Sequence, residues 1–112
     1  MVLEEFGLGR DGSSYDPRST VDIRDKYSRA LFEIVYEMAD VNQTMSGVNF
    51  WAWGGEGRPS NRGGGWWSKG DQFTGDPPHE RQGWYSVYDT DISTKSVIRE
   101  LAKKFYLLMF KE

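Results

Sequence analysis

Cysteine is absent from the 112 residues, which removes disulfide frameworks, thiolate nucleophiles and cysteine-based zinc sites together. Histidine is almost as scarce. His79 stands alone, and because zinc sites draw three or four clustered ligands, it reads as a structural or ligand-contacting side chain rather than a metal ligand or catalytic base. Basic charge is in short supply too: 14 Lys and Arg face 17 Asp and Glu, for a formal net charge of -3 and a pI near 5.2. Such a balance offers no surface for a phosphate backbone, so nucleic acid is not an expected partner. No apolar run approaches the roughly 20 residues of a membrane span, and no membrane partner is expected. Met1 abuts the first apolar run, which leaves no room for a leader peptide inside the chain. Gly63, Gly64 and Gly65 do not lead from a strand into a helix with Lys-Ser or Lys-Thr, which argues against a phosphate loop.

Aromatic residues, by contrast, are plentiful: 15% of the chain, with five Trp, beside 13 Gly. Indoles at this density either fill a core or form flat faces on which sugars, bases or cations stack. Their positions decide which.

Val2 to Phe6 has the alternation of a short strand, with Leu3 and Glu5 on one face and Val2, Glu4 and Phe6 on the other. Leu8 to Arg18 is a polar loop rich in turn formers. From Ser19 or Thr20 the period changes to that of a helix ending near Ala39 to Val41. Its predicted apolar stripe is Tyr27, Leu31, Ile34, Val35 and Met38, with Arg24, Lys26, Arg29, Glu33 and Glu37 on a solvated face. After a polar linker, in which Asn42-Gln43-Thr44 fits a glycosylation acceptor, Gly47 to Trp53 reads as one buried strand. Asn49, Trp51 and Trp53 share one face of it, and Val48, Phe50 and Ala52 share the other.

Gly54 to Gly83 holds most of the glycines and three of the four prolines, with little periodicity. A compact domain keeps so long a loop chiefly for function, and Trp66, Trp67 and Phe73 argue against disorder. Trp84 to Tyr88 follows as a short extended piece. Asp89, Asp91 or Ser93 then caps a closing helix whose inward stripe is Val97, Ile98, Leu101, Phe105, Leu108 and Met109, with Arg99, Lys103 and Lys104 outward and Lys111 near its negative end. Strand, helix, strand, helix is an α/β arrangement. In parallel designs of this kind, the loops leaving the C-terminal ends of the strands carry the chemistry.

A Glu-Glu pair at a strand end is, by itself, most simply two hydrated carboxylates. The companion run with Trp51 and Trp53 changes the balance, because a carboxylate close to an indole face suits a glycosidase: the sugar ring needs an apolar platform and its anomeric carbon a nucleophile.

The segments Leu3-Glu4-Glu5-Phe6-Gly7 and Gly47-Val48-Asn49-Phe50-Trp51-Ala52-Trp53-Gly54 resemble the last two strands of a glycoside hydrolase family 5 β-mannanase. Gly75-Asp76-Pro77-Pro78-His79-Glu80 and Gln82-Gly83-Trp84-Tyr85-Ser86-Val87-Tyr88-Asp89 resemble that family's final long loop, so the likeness runs over essentially the whole chain. It implies an α/β fold made of the last two β-α units of a (β/α)8 TIM barrel, with residues 1–112 as a C-terminal fragment of the catalytic domain. A closed barrel takes about 250 residues, so this one would be incomplete, with a long loop after its second strand.

By the same resemblance the activity is retaining endo-β-1,4-mannanase, without a cofactor, on β-mannan, from a secreted or periplasmic parent. Glu5 would be the nucleophile, Glu4 would turn out toward the helices and need a partner there, and Trp51 would floor the subsite under attack. Trp53, Trp84 and His79 would be further sugar contacts. The family's acid/base glutamate follows an Asn on the fourth strand, and the chain has no Asn-Glu pair; Glu80 is the nearest internal substitute. The chain would then hold half of a catalytic pair. A different reading is a non-catalytic carbohydrate-binding or interaction module that stacks sugars on Trp51, Trp66, Trp67 and Trp84. Either way, two parallel strands leave open edges, so self-association or a missing N-terminal barrel portion is expected.

Overall fold

The structure, a computed structural model, describes residues 2–41 and 45–110, apart from the side chain of Glu5. The Asn42-Gln43-Thr44 triplet and Lys111 lie outside the described residues.

Strand β1 (Val2–Phe6) leads through a 3-10 turn at Asp11–Ser13 into helix α1 (Asp22–Val41). Strands β2 (Gly47–Phe50) and β3 (Trp53–Gly55) come next, then the long loop, strand β4 (Val87–Tyr88) and helix α2 (Ile92–Met109). β1 pairs in parallel with β2, Val2 opposite Gly47 and Leu3 opposite Val48; β3 pairs in parallel with β4, Trp53 opposite Val87. Among the described residues these are two separate parallel pairs and not a closed barrel.

The core forms where α1 and α2 pack on β1 and β2. Phe6, Phe32, Val97 and Leu101 are buried at its centre, and Leu3, Val48, Phe50 and Phe105 close around them. Phe6 and Phe32 meet edge to face at 5.6 Å, a geometry that suits the ring quadrupoles. Leu3 and Phe6 both reach this core although they are three apart, so strict alternation fails between them, at the point where the β1–β2 register shifts. Glu4, expected to turn toward the helices and need a partner, is solvent-exposed.

The single strand expected over Gly47 to Trp53 is interrupted. Trp51 N–H donates to Phe6 O at 2.8 Å, which keeps it with β1, whereas Ala52 N–H donates to Tyr85 O at 3.1 Å and Ala52 O accepts from Val87 N–H at 2.8 Å. The chain changes hydrogen-bonding partner between residues 51 and 52, whose peptide bond is cis. Exposure still alternates as expected: Asn49, Trp51 and Trp53 are exposed while Ala52 is buried.

The inward face of α1 departs from its expected stripe. Arg24, Asp25, Ser28, Phe32, Val35 and Ala39 are buried, while Tyr27 and Ile34 are exposed. Apolarity misplaces the stripe because the N-terminal half of this face is polar and meets a polar partner. Both nitrogens of the Arg10 fork bind Asp91, Nη1 at 3.0 Å and Nη2 at 2.7 and 2.8 Å from its two oxygens, and Arg24 Nη2 adds a fourth contact at 3.2 Å. Arg24 Nη1 donates to Ser86 O at 2.8 Å, and Tyr88 N–H donates to Asp91 Oδ2 at 2.8 Å. All three charged residues are at least nine-tenths buried, so Arg24 does not lie on a solvated face. Burial pushes its pKa below the usual value, with Asp91 opposing. Asp25 completes the junction by accepting hydrogen bonds from Ser93 and Thr94 at the start of α2.

Helix α2 follows expectation at Val97 and Leu101, which are buried, and at Ile98, Phe105 and Leu108, which are partly so; Met109 is exposed instead. Asp91 occupies the capping position, but its carboxylate is turned to the two arginines and makes no cap bond to the helix.

Candidate functional site

The C-terminal end of β1 meets three other segments in a small area. Trp51 sits beside Phe6 through its backbone bond, and Gly7 follows. A Cβ on Gly7 would stand 2.7 Å from Trp51 O and 3.3 Å from the Tyr85 ring, so only glycine lets the strand end approach both. Around this point Gly7, Trp51, Glu80 and Tyr85 line an open cleft of about 300 Å³. Its size lies at the lower bound of pockets that hold small organic ligands.

Tyr85 is common to two clefts. The second, of about 400 Å³, shares Gly7 as well and is walled by the Leu8–Tyr15 loop, Ile23 and Trp84. Trp84 stacks on Tyr85 at 4.9 Å with an interplanar angle of 12°. Of this stacked pair, Tyr85 lines both hollows and Trp84 the second.

Among the described residues, Glu80 contributes the one carboxylate on the wall of the first cleft. Its Oε2 is buried and has no hydrogen-bond partner among the described residues. A desolvated carboxylate oxygen with no donor is poorly satisfied, and a ligand hydroxyl reaches it only when the side chain turns toward the cleft. Its backbone is fixed on both sides: Glu80 N–H donates to Pro77 O at 3.0 Å, and Glu80 O accepts from Gln82 Nε2 at 3.2 Å.

Of the residues expected from sequence, Trp51 lies on the cleft wall and is 38% exposed. Glu5 precedes the cleft-lining Gly7 by two positions along β1; its side chain lies outside the described residues. Trp84 lines the second cleft. Trp53 is exposed, lies on neither wall and rests its indole near Gly55. His79 is exposed next to Glu80, also outside both walls. The sequence does not mark Gly7 and Tyr85 as wall residues, and it marks Glu80 only as a substitute acid. Each lies inside a segment already singled out, but nothing local in the sequence says that Tyr85 turns to meet Gly7.

The cleft thus offers an indole, a phenol ring, a glycine and a carboxylate side chain. Flat apolar faces beside a hydrogen-bond acceptor match the two chemistries of a sugar, its C–H faces and its hydroxyls. Among the described residues no group of three His, Asp or Glu converges so as to hold a metal ion, and no helix is long and apolar enough to cross a membrane.

Comparison with known proteins first gives the class of protein this chain resembles, the glycoside hydrolases. The crystal structure of a glycoside hydrolase family 5 mannosidase from Rhizomucor miehei superposes with a TM-score of 0.79 at 34% identity, over 96% of this chain and 26% of that one. A glutamate-to-alanine mutant of that enzyme matches over 96% of this chain and 27% of that one, also at 34% identity and TM-score 0.79. A second such mutant, in complex with mannosyl-fructose, matches with the same identity and TM-score. The family model described as GH family 5 beta-mannosidase-like matches residues 1–109. The chain belongs to glycoside hydrolase family 5, as a mannosidase-type fragment. It spans about a quarter of the length of these solved relatives. No curated protein matches it.

Proposed function

We propose that the chain forms one wall of a retaining β-mannoside hydrolase, as the last two β-α units of its (β/α)8 barrel, and that it supplies the nucleophile but not the acid/base. One arrangement supports this: Trp51, Glu80 and Tyr85 gather around Gly7, just beyond the strand that carries Glu5, in a chain of the mannosidase-like family. Glu5 attacks the anomeric carbon and forms a glycosyl-enzyme ester, while a second glutamate about 5 to 5.5 Å away protonates the leaving oxygen and then activates water. That second glutamate belongs to the part of the barrel this chain does not contain. Trp51 supplies the platform under the sugar, and Glu80 accepts hydrogen bonds from its hydroxyls. Trp84 contacts a sugar beyond Tyr85, and Trp53 and His79 stand at the margin.

The substrate is a β-mannan or a manno-oligosaccharide. Resemblance to β-mannanases favours cleavage of internal bonds, and the description of the matching family and structures as mannosidases favours terminal ones. Product analysis on mannohexaose separates these, mannose alone marking terminal attack and mannobiose with longer products marking internal attack.

Two measurements test the proposal. Alone, the chain binds mannotriose, read by quenching of its tryptophan fluorescence, and releases no reducing ends. Joined to the first six units of a family 5 barrel, it hydrolyses mannan, and Glu5→Gln lowers kcat by about a thousandfold or more. Unchanged turnover in that variant would remove Glu5 from the mechanism. Binding unaffected by Trp51→Ala would remove the cleft.

A further inference from the structure

We propose that Asp76 and Gln82 are positioning residues for the cleft, fixing where Tyr85 and Glu80 stand and therefore how tightly it holds a sugar. The inference rests on the reading of the cleft as a saccharide site. Neither residue lines it. Both act through the backbone of the residues that do.

Asp76 is buried, and donors surround its carboxylate. Oδ2 accepts from Gly83 N–H and Ser86 Oγ, each at 2.7 Å, and Oδ1 accepts from Tyr85 N–H at 3.0 Å. Three donors on a buried carboxylate stabilise its charge without a counter-ion. Gln82, also buried, works in the opposite sense. Its Nε2 donates to Pro77 O at 3.0 Å and Glu80 O at 3.2 Å, with Asp76 O at 3.4 Å, while its Oε1 accepts from Thr74 Oγ1 at 2.7 Å. One side chain thus holds the backbone of Tyr85 and the other that of Glu80.

The bonds all lie within residues 74–86, and the segment is bent sharply at both ends. Gly75 and Gly83 each adopt φ of +92°. A Cβ on Gly75 would lie 2.9 Å from Trp53 O, and one on Gly83 would lie 2.7 Å from Tyr15 O. The bends bring the segment against its neighbours, and the two buried side chains set its shape between them. Its hydrogen bonds are separate from the helix core of Phe32, Val97 and Leu101, so loosening them displaces the cleft wall before it melts the helices.

Asp76→Asn keeps the volume but sets an N–H against a backbone N–H, either that of Gly83 or that of Tyr85. Gln82→Glu sets a carboxylate oxygen against backbone carbonyls. The test titrates the whole chain with mannotriose, by tryptophan fluorescence well below the melting temperature, beside Val97→Ala as a control that weakens the helix core without touching these bonds. Asp76→Asn and Gln82→Glu are expected to weaken binding about tenfold or more, as the loss of a hydrogen bond to a charged or buried group does. Val97→Ala, although it melts earlier, is expected to stay within about twofold of the parent chain, since it leaves the hydrogen bonds of residues 74–86 in place. Parental affinity in both loop variants, or an equal loss in Val97→Ala, overturns the proposal. Should both fail to fold, Ser86→Ala removes a single bond to the same carboxylate; a loss of about threefold supports the proposal and none overturns it.

A parent chain that does not bind mannotriose defeats the saccharide reading, and the positioning claim is then decided by NMR. The Gly7 amide and Trp51 indole lie on the cleft wall with Tyr85 and Glu80, away from Asp76's own bonds. Shifted resonances at both in Asp76→Asn support the claim, and unmoved resonances overturn it.

Discussion

Asp91 ties together more of the chain than a residue one step before a helix ordinarily does. It receives Arg10 from the loop after β1, Arg24 from α1 and the backbone of Tyr88 from β4. Removing its charge strands two buried guanidinium groups, and breaking a buried ion pair from one side costs about 3 to 5 kcal/mol. Domains carry only about 5 to 15 kcal/mol in total, so Asp91→Asn is expected to lose a large part of the cooperative urea transition. Asp11 shows a residue acting through pH. Its carboxylate accepts from Thr20 Oγ1 at 2.6 Å and from the N–H groups of Asp22 and Ile23 at 2.9 and 3.0 Å, serving the exposed first turn of α1 from outside the helix. The Thr20 hydroxyl first, then the two backbone donors, hold its pKa below the usual 3.8. A carboxyl with a depressed folded pKa contributes stability that is present above 3.8 and lost as pH falls through the lower folded value. Asp16, bridged by Arg18 and held at about 2, acts with the same sign. Asp11→Ala is therefore expected to melt below the parent at pH 6, and the gap should narrow as pH falls from about 4 toward 2. Circular dichroism melts across that range check it, and a gap that stays constant would contradict the capping role.

At the scale of elements, the two helices were legible and the faces they bury were less so. Period and length marked both α1 and α2, because amphipathic spacing persists over several turns. The phase of α1 was misread because its inward line runs through Arg24, Asp25 and Ser28 before it reaches Phe32 and Val35. A hydropathy pattern cannot show that a polar stretch faces a polar partner brought from residue 91. The strand after the linker was misread for a related reason. Its composition is continuous from Val48 to Trp53, and only the bonds to Phe6 on one side and to Tyr85 and Val87 on the other divide it. Of the site, Trp51 was legible as an indole at a strand end. Tyr85 and Gly7 were not, since their meeting joins positions far apart in the chain. Phe32 tests the helix packing directly: it is buried between β1 and α2, and Phe32→Ala is expected to destabilise the chain by about 3 to 5 kcal/mol in urea unfolding. A loss under about 1 kcal/mol would mean that the helices do not depend on this contact.

The whole molecule is long for its mass. Its extents are 50 × 25 × 19 Å and its radius of gyration is 15.4 Å, against about 13 Å for a compact domain of this length. The excess has a structural cause, since two short parallel pairs do not gather the helices around one sheet. Parallel strands are normally covered on both faces and paired on both edges, whereas β1 and β2 pair only with each other among the described residues. Apolar side chains stay in water: Ile23 and Ile34 on α1, with Tyr106, Leu107 and Phe110 at the end of α2. Exposed apolar faces beside open strand edges favour association. The isolated 12.9 kDa chain is therefore expected to sediment as a mixture whose mean mass rises between about 1 and 100 μM, a range chosen to bracket weak interface affinities. If the chain completes a family 5 barrel as proposed, adding a separate polypeptide with the first six units should reverse that trend. A concentration-independent monomer, unaltered by the added polypeptide, would mean that the chain satisfies its own surface and that the exposed faces carry no drive to associate.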